Sequence, residues 1–302
     1  MKKSRELFTI MKIGHLNNLL PFIRVHVWGG LGSQLFAINL LQILNREGIN
    51  RNFSLTLHSS GVTKRYPAFT EIYPAIDYKF FDDFSNQNSL GNANLKFIVR
   101  VKQLLRKIIK KLAISFRFLI EIESSKDLRK IRVWTLSIRG HYSYLKVSRD
   151  FLVDLERRLL SGATLTSIDK NGVTLHYRLD DLMTLENKSF IPSYRIIEEI
   201  NRVESIEKNS ILYVYSDSIE AAKRLLVPDL GNIAAVFVDN TLLEVFRHGI
   251  ITDYFIGTNS KISYWICGLR SINESLKETS LPEESTKDAK NVLHNLGSIR
   301  FY

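Results

Sequence analysis

The sequence predicts an α/β protein with two domains, each built around a parallel β-sheet. Short apolar runs of strand type alternate with segments whose apolar residues recur at helical spacing, most regularly after residue 172. Glycine or polar residues directly follow the strand-like runs, as in loops at the carboxyl edge of a parallel sheet. A length of 302 residues accommodates two domains of ordinary size. Together these observations predict two α/β domains.

The first half contains one clear β/α unit. Its predicted elements are a strand at 22–28, a tight loop at 29–33, a helix at 34–46, a strand at 53–57, an irregular stretch at 59–95, a strand-like segment near 134–144 and a helix at 151–160. A polar turn over 162–172 then marks a plausible domain boundary. We therefore expect one domain over residues 1–165 and a second domain over residues 166–302.

The second half alternates strands and helices regularly. Its predicted strands are 173–177, 211–215, 234–238 and 254–257, and its predicted helices are 192–201, 219–226, 242–248 and 262–269. Residues 278–290 are rich in Ser, Glu and Lys, and we expect a mobile tail there.

The composition indicates in which compartment the protein works and what kind of partner it binds. Cys267 is the single cysteine, which excludes an intrachain disulfide and favours a reducing compartment. Charged residues interrupt every long apolar run, so we expect no transmembrane span. The start at Met1-Lys2-Lys3 is followed by polar residues that do not fit a signal peptide. The net charge of +11 favours anionic partners.

The positive charge is concentrated between residues 96 and 117. Eight Lys and Arg residues occur there with no acid before Glu121, and apolar residues recur among them at helical spacing. One interpretation is a domain helix with a buried apolar stripe and a solvated basic face. A second is docking on anionic lipid through residues 100–117. Nucleic-acid binding is disfavoured, because aromatic residues are not interleaved with the basic ones.

The first candidate site is the glycine-rich loop after the first strand. Glycines allow backbone N–H groups to approach a phosphate closely, and Gly30, Gly32 and Gln34 are the predicted binding residues for a phosphate-bearing ligand. The spacing matches neither the dinucleotide-binding fingerprint nor the P-loop. A tight strand–helix turn with no ligand is the alternative.

The second candidate site follows the strand at 173–177. Side chains alternate along a strand, so His176 and Arg178 point to the same face. An Arg side chain can hold phosphate oxygens with two parallel hydrogen bonds. Asp181 is a further candidate, although an Arg178–Asp181 ion pair beside a buried His is the structural alternative. Glu186 is a candidate general base for an acceptor hydroxyl, or a solvated loop residue.

Other strand ends complete the predicted site. Ser216 and Asp217 follow one strand, and Asn259 and Ser260 follow another, where Ser260 would cap the next helix and meet a phosphate. No paired His spacing or Asp-x-Asp sequence is present, so we predict no metal site and no cofactor. Tyr264, Trp265 and Cys267 are predicted core residues.

These segments resemble the α-1,2-fucosyltransferases and the wider group that includes α-1,6- and protein O-fucosyltransferases. Residues 29–36 (GGLGSQLF) are similar to the family's GGLGNQLF, and residues 258–265 (TNSKISYW) to its ANSSFSWW. Residues 176–181 (HYRLDD) resemble its HxRRGD, with Leu179 in place of the second Arg. Residues 140–144 loosely resemble GYFQS, and Ser216-Asp217 matches a family Ser-Asp. The matches span residues 28–269.

The resemblance implies a GT-B-like architecture, in which two Rossmann-like domains with parallel sheets face a cleft. The domain over residues 1–165, with the glycine-rich loop, would lie on the acceptor side, and the domain over residues 166–302 would bind the nucleotide sugar.

The resemblance also implies an inverting, metal-independent transfer of fucose from GDP-fucose to a glycan hydroxyl. Arg178 would hold the β-phosphate, and His176 and Ser260 would contact the nucleotide. Glu186 matches the position of the base in the α-1,6 relatives. Assembly of a bacterial surface polysaccharide is the expected setting, with a glycan acceptor that is lipid-linked or free. The expected location is cytoplasmic, with attachment to the periphery of the inner membrane left open.

Two alternatives remain at this stage. The same fold could use another nucleotide sugar, because Leu179 replaces the second Arg. The chain could also be a non-catalytic glycan- or nucleotide-binding protein. We expect no nucleic-acid partner.

Overall fold

The computed structural model divides the chain into two compact α/β units. The first contains residues 1–30 and 34–142, and the second contains residues 31–33 and 143–302. The residues that the structure describes are 22–49, 52–59, 66–81, 105, 107–132, 134–161, 170–179, 182–183, 190–206, 210–239, 241–273 and 276–302. The predicted boundary at 165/166 lies outside them and stays a prediction.

The first unit contains a parallel sheet of five described strands in the order β3-β2-β1-β5-β4. The strands are β1 (Ile23–Trp28), β2 (Phe53–His58), β3 (Tyr78–Phe81), β4 (Leu119–Ile122) and β5 (Ser137–Gly140). The helices are α1 (Leu31–Arg46) and α2 (residues 107–115). The predicted strand at 22–28 and the helix that follows it are confirmed.

Alternation of side chains explains the core of this unit. Ile23, Val25 and Val27 lie on one face of β1 and are fully buried. Leu35 and Leu44 of α1 are also fully buried. The opposite face of β1 carries Arg24, His26 and Trp28. A parallel sheet is usually apolar on both faces, so this polar face is unusual.

The second unit contains a parallel sheet of six described strands in the order β11-β10-β9-β6-β7-β8. The strands are β6 (Val173–Tyr177), β7 (Leu212–Ser216), β8 (Ala235–Val238), β9 (Tyr254–Gly257), β10 (Glu278–Leu281) and β11 (Ile299–Phe301). The helices are α3 (Arg149–Leu160), α4 (Ser193–Ile206), α5 (Ile219–Leu226), α6 (Leu242–Ile251), α7 (Lys261–Arg270) and the short α8 (Thr286–Ala289). Two parallel sheets with helices confirm the predicted α/β class.

Helices α4 and α5 cover part of this sheet with an apolar core. Leu175 of β6 and Val214 of β7 are fully buried in it, together with Ile196 of α4 and Ala222 of α5. Trp265, Tyr264 and Cys267 of α7 are buried as predicted. At about 25 cal/mol per Å² of apolar surface, each large buried side chain stabilises by roughly 1.5–3 kcal/mol.

The prediction of a mobile tail at residues 278–290 is wrong. Residues Glu278–Leu281 form β10, which pairs in parallel with β9 and β11, and Leu281 and Ala289 are completely buried. The polar composition misled the prediction, because a central strand satisfies its backbone groups through its neighbours and polar side chains can bond to one another. Ser280 does so by donating to the Glu199 carboxylate of α4.

Two local predictions for the first unit also need correction. The stretch 59–95 includes strand β3, and a strand β4 follows the basic helix. In helix α2 the described apolar residues are not buried in a core, since Ile109 and Leu112 are 64% and 52% exposed. The interpretation of a buried apolar stripe therefore fails for 107–115. Residues 96–104 and 106 lie outside the described part of the chain.

Candidate functional site

The predicted site residues of the second unit converge where three adjacent strands end. Strand β6 lies between β9 and β7, and all three run in parallel. Their carboxyl ends therefore lie side by side. Thr258 follows β9, Arg178 follows β6 and Asp217 follows β7. This edge is where ligands bind in open parallel sheets.

A buried hydrogen-bond network joins the ends of β6 and β9. The Thr258 hydroxyl donates to the His176 carbonyl at 2.9 Å and accepts from the Arg178 backbone N–H at 3.1 Å. The Ser263 hydroxyl lies 2.8 Å from His176 Nδ1 and accepts from the Thr258 N–H at 3.1 Å. Ser263 belongs to the first turn of α7. The helix thus fixes the backbone that presents Arg178.

His176 is neutral at physiological pH in this network. Burial lowers its pKa from 6.5 to about 4, and the nearby Arg178 charge acts in the same direction, while Asp217 opposes it. A neutral imidazole donates one hydrogen bond and accepts another. The arrangement therefore suits a positioning or hydrogen-bonding role for His176 better than proton transfer near pH 7.

Asp217 organises the loop after β6. Its carboxylate accepts a hydrogen bond from the Leu179 backbone N–H at 2.7 Å, which ties the end of β6 to the end of β7. Ser216 accepts from the Ser218 N–H at 3.1 Å and shapes the turn into α5. The Arg178 side chain is half-buried at this edge. Asp217 and Ser216 hold the loops on both sides of it.

The start of α7 lies at the same edge. Ser260 is the N-cap, and its hydroxyl accepts from the Ile262 N–H at 3.3 Å, as predicted. The Asn259 side chain accepts from the Tyr264 hydroxyl. Gly257 is needed before this turn, because a Cβ there would come within 2.9 Å of the Ser263 side chain. The helix dipole adds partial positive charge at this end.

The middle of the glycine-rich loop belongs to the second unit. Trp265 Nε1 donates to the Gly32 carbonyl at 2.9 Å, and Lys261 Nζ donates to the Ser33 hydroxyl at 3.0 Å. A Cβ at Gly32 would lie 2.7 Å from Lys261 Cβ, so only glycine fits without displacement. Residues 31–33 therefore lie against the start of α7, beside the predicted nucleotide site.

Gln34 has a clear structural role in the first unit. Its Nε2 donates to the carbonyls of Gly29 and Tyr66, and its Oε1 accepts from the Phe69 N–H. The side chain is 1% exposed. Its predicted contact with the donor, like those of Gly30 and Gly32, stays a prediction.

Not every predicted residue can be placed, and some site residues were missed. Asp181 and Glu186 lie outside the described residues. Thr258, Ser263 and Lys261 were not among the predicted site residues; the signal was their position directly after a strand or in a first helical turn. Within the described ranges, no group of three or more His, Cys, Asp or Glu side chains could hold a metal ion.

Comparisons with known proteins found structural likeness at low identity. No protein-family model and no curated protein sequence matches the chain. Among solved structures, the E. coli heptosyltransferase WaaC with ADP has a TM-score of 0.46 at 10% identity, over 93% of this chain and 92% of that one. POFUT1 in complex with GDP has a TM-score of 0.41 at 12% identity, over 86% and 98%. MnaA of S. aureus with UDP has a TM-score of 0.47 at 9% identity, over 86% and 78%.

Proposed function

We propose that the protein is a glycosyltransferase that moves fucose from GDP-fucose to a glycan hydroxyl, with inversion and without a metal ion. The observation that carries the proposal is the strand-end network in which Thr258 and Ser263 fix the backbone at His176 and Arg178. The sequence resemblance of residues 29–36, 176–181 and 258–265 supports fucose as the donor sugar.

The reaction assigns a role to each part of this edge. The acceptor oxygen forms a bond to fucose C1, and the bond from C1 to the diphosphate oxygen breaks with its electron pair on GDP. Arg178 offsets the charge that develops on the departing diphosphate, assisted by the positive end of α7. Neutral His176 and Ser260 bond to the nucleotide. Glu186 receives the proton of the acceptor hydroxyl.

The test is transfer from GDP-[¹⁴C]fucose to a panel of glycan acceptors in the presence of EDTA. Calorimetry with GDP and UDP, also in EDTA, measures nucleotide preference. We expect GDP to bind and UDP to bind more weakly. Activity that vanishes in EDTA and returns with Mn²⁺ would refute the metal-free mechanism.

The second candidate is the same reaction with another nucleotide sugar. Leu179, which is fully buried, stands where the resembling family has its second Arg, so one phosphate contact is missing. A thermal-shift panel of GDP, UDP and CMP sugars separates the candidates. A ligand at 100-fold over its dissociation constant stabilises by about 2.7 kcal/mol. A panel without any shift would favour a non-catalytic glycan-binding protein.

We also propose that helix α2 holds the enzyme at an anionic membrane surface, close to a lipid-linked acceptor of a bacterial surface polysaccharide. Its support is the combination of exposed apolar side chains with Lys107, Lys110 and Lys111 on one short helix. None of the described helices is long and apolar enough to cross a membrane. A second copy of the chain is a poor occupant, because its own α2 would bring like charges together.

Vesicle co-sedimentation tests this docking. Each basic residue at such a surface contributes about 1 kcal/mol at low salt. The double change K107E/K111E, which keeps the Lys110–Glu121 ion pair, should release the protein from phosphatidylserine vesicles and leave transfer to a soluble acceptor unchanged. The matched control is K223E, an exposed lysine of the second unit whose loss should not affect sedimentation. Wild-type protein that fails to sediment at low salt would refute docking.

A further inference from the structure

The first unit contains a second group of polar residues that the proposed function does not use. The strand order of the sheet in this unit places β2 and β3 on one side of β1, and β4 and β5 on the other. The junction of β1 and β5 is therefore the point where the strand order reverses. In open parallel sheets this is a preferred place for a ligand, at the carboxyl ends of the strands.

Three aromatic rings form a row at these strand ends. Trp28, His58 and Phe81 are the last residues of β1, β2 and β3, and the register places them on one face. Trp28 and His58 stack with centroids 4.5 Å apart, and His58 and Phe81 with centroids 5.7 Å apart. The rings face one another, so their hydrogen-bearing edges are presented outward, where aromatic charge is positive. Trp28 and Phe81 are 38% and 48% exposed.

Arg139 of β5 ends this row with a positive charge. Its guanidinium carbon lies 5.9 Å from the Trp28 ring centroid. In the described part of the chain, Arg139 Nε is buried without a hydrogen-bond partner. The register places Glu121 beside it, but that carboxylate bonds to Lys110 Nζ at 2.5 Å.

Two further groups mark the face as built for a polar ligand. The Thr56 hydroxyl is buried and has no hydrogen-bond partner among the described residues, and Thr56 is 2% exposed. His26, its register neighbour, bonds to His58 at 2.9 Å and is neutral, because burial and the Arg139 charge lower its pKa to about 4. A buried polar group without a partner is rare and costs stability, which a ligand or a ligand-ordered water would recover.

We propose that this face binds a sugar residue that carries an anionic group, a carboxylate or a phosphate. Arg139 binds the anion, and the exposed, positive edges of Trp28 and Phe81 contact the ring and hydroxyl oxygens of the sugar. A bare anion would need only the cation, whereas the row of ring edges extends beyond Arg139 and offers contacts to the oxygen atoms of a sugar. The assignment of this sugar to the acceptor rests on the proposed function. The binding of an anionic sugar to this face does not depend on that function.

Titration of the full chain with four probes tests the site. The probes are methyl β-D-glucuronide, glucose 1-phosphate, methyl β-D-glucoside and inorganic phosphate. Binding is followed by tryptophan fluorescence in a W134F background, in which Trp28 lies at the site and Trp265 is buried in the second unit. We expect one of the two anionic sugars to bind about 10- to 100-fold tighter than the glucoside. The carboxylate and phosphate arms identify which anion is preferred. Inorganic phosphate that binds as tightly as both sugars, or anionic sugars that bind no tighter than the glucoside, would overturn the proposal.

Two matched variants locate the binding. Arg139→Gln should abolish the preference for the anionic sugar, whereas Arg24→Gln, on the same face near the other end of β1, should keep it. Arg139→Lys retains the charge and should keep the preference, which separates loss of the charge from loss of the fold in the Gln variant. Equal affinity in all variants would refute the site.

Nucleotide binding separates this proposal from the previous one. GDP affinity should be unchanged in Arg139→Gln, and its loss would assign Arg139 to the nucleotide and overturn the inference. A protein that binds the anionic sugar yet transfers no fucose would refute the proposed function alone. A protein that transfers fucose and binds neither anionic sugar would refute the sugar site alone.

Discussion

Removal of the Ser263 hydroxyl should weaken both the second unit and its site. In Ser263→Ala, His176 Nδ1 and the Thr258 N–H lose their partner, at 2.8 and 3.1 Å respectively. All three residues are at least 94% buried, so water does not easily replace the hydroxyl. A buried group left without a hydrogen bond costs about 1–3 kcal/mol, and two such groups predict a loss of about 2–6 kcal/mol.

The functional consequence follows from the same network. Thr258 holds the Arg178 backbone, so its displacement should weaken GDP binding. Urea unfolding followed by tryptophan fluorescence, to which the buried Trp265 contributes, measures the loss of stability, and calorimetry measures GDP affinity. Ser205→Ala is the control, since Ser205 makes one exposed bond to a helix carbonyl and should cost less than about 0.5 kcal/mol. A Ser263→Ala protein with wild-type stability and GDP affinity would refute the reasoning.

Three further predictions follow from the structure. Arg178→Lys keeps the charge but not the planar fork, and should raise the barrier to transfer by about 3 kcal/mol, measured as a fall in kcat with an unchanged circular dichroism spectrum. Because the pKa of His176 is about 4 in the folded state and 6.5 ordinarily, the free energy of unfolding should fall as the pH drops below 6.5, by about 2 kcal/mol at pH 5 from this residue. Urea melts across that range should show a steeper fall with pH for wild type than for His176→Gln, and equal pH dependence of the two proteins would contradict the assignment. Gly140→Ala should destabilise the first unit by at least about 3 kcal/mol in thermal melts, because φ is +133° and a Cβ would lie 2.0 Å from the Ile122 carbonyl oxygen, whereas Gly231→Ala, at φ +59° in open space, should cost only about 1 kcal/mol.

Much of the second unit was predictable from local pattern. The sequence predicted the strand at 173–177 with its observed bounds, and α7 to within one residue at each end. These elements have the apolar period of their own secondary structure, which needs no knowledge of neighbours. The N-cap role of Ser260 was predictable for the same reason, since capping depends on residues two or three positions away.

The candidate site was predictable only in part. Arg178, Asp217 and Ser260 follow predicted strands, so a common edge could be expected for them. Ser263 could not be chosen, because a serine in a first helical turn usually faces solvent or bonds locally. Its contact with His176 depends on β9 lying beside β6, although 76 residues lie between the end of β6 at Tyr177 and the start of β9 at Tyr254.

What the sequence determined by itself is the identity and order of most helices and strands, because hydrophobic periodicity and capping act over a few residues. What the tertiary structure decided is which polar groups meet. Strand order in each sheet brought Ser263 to His176 and Arg139 to Trp28. Pairing of β10 with both β9 and β11 ordered a polar segment whose local composition had predicted mobility. The physical reason is that buried polar groups are stabilised by partners distant in sequence, and that information lies in the packing of the sheet rather than in any local pattern.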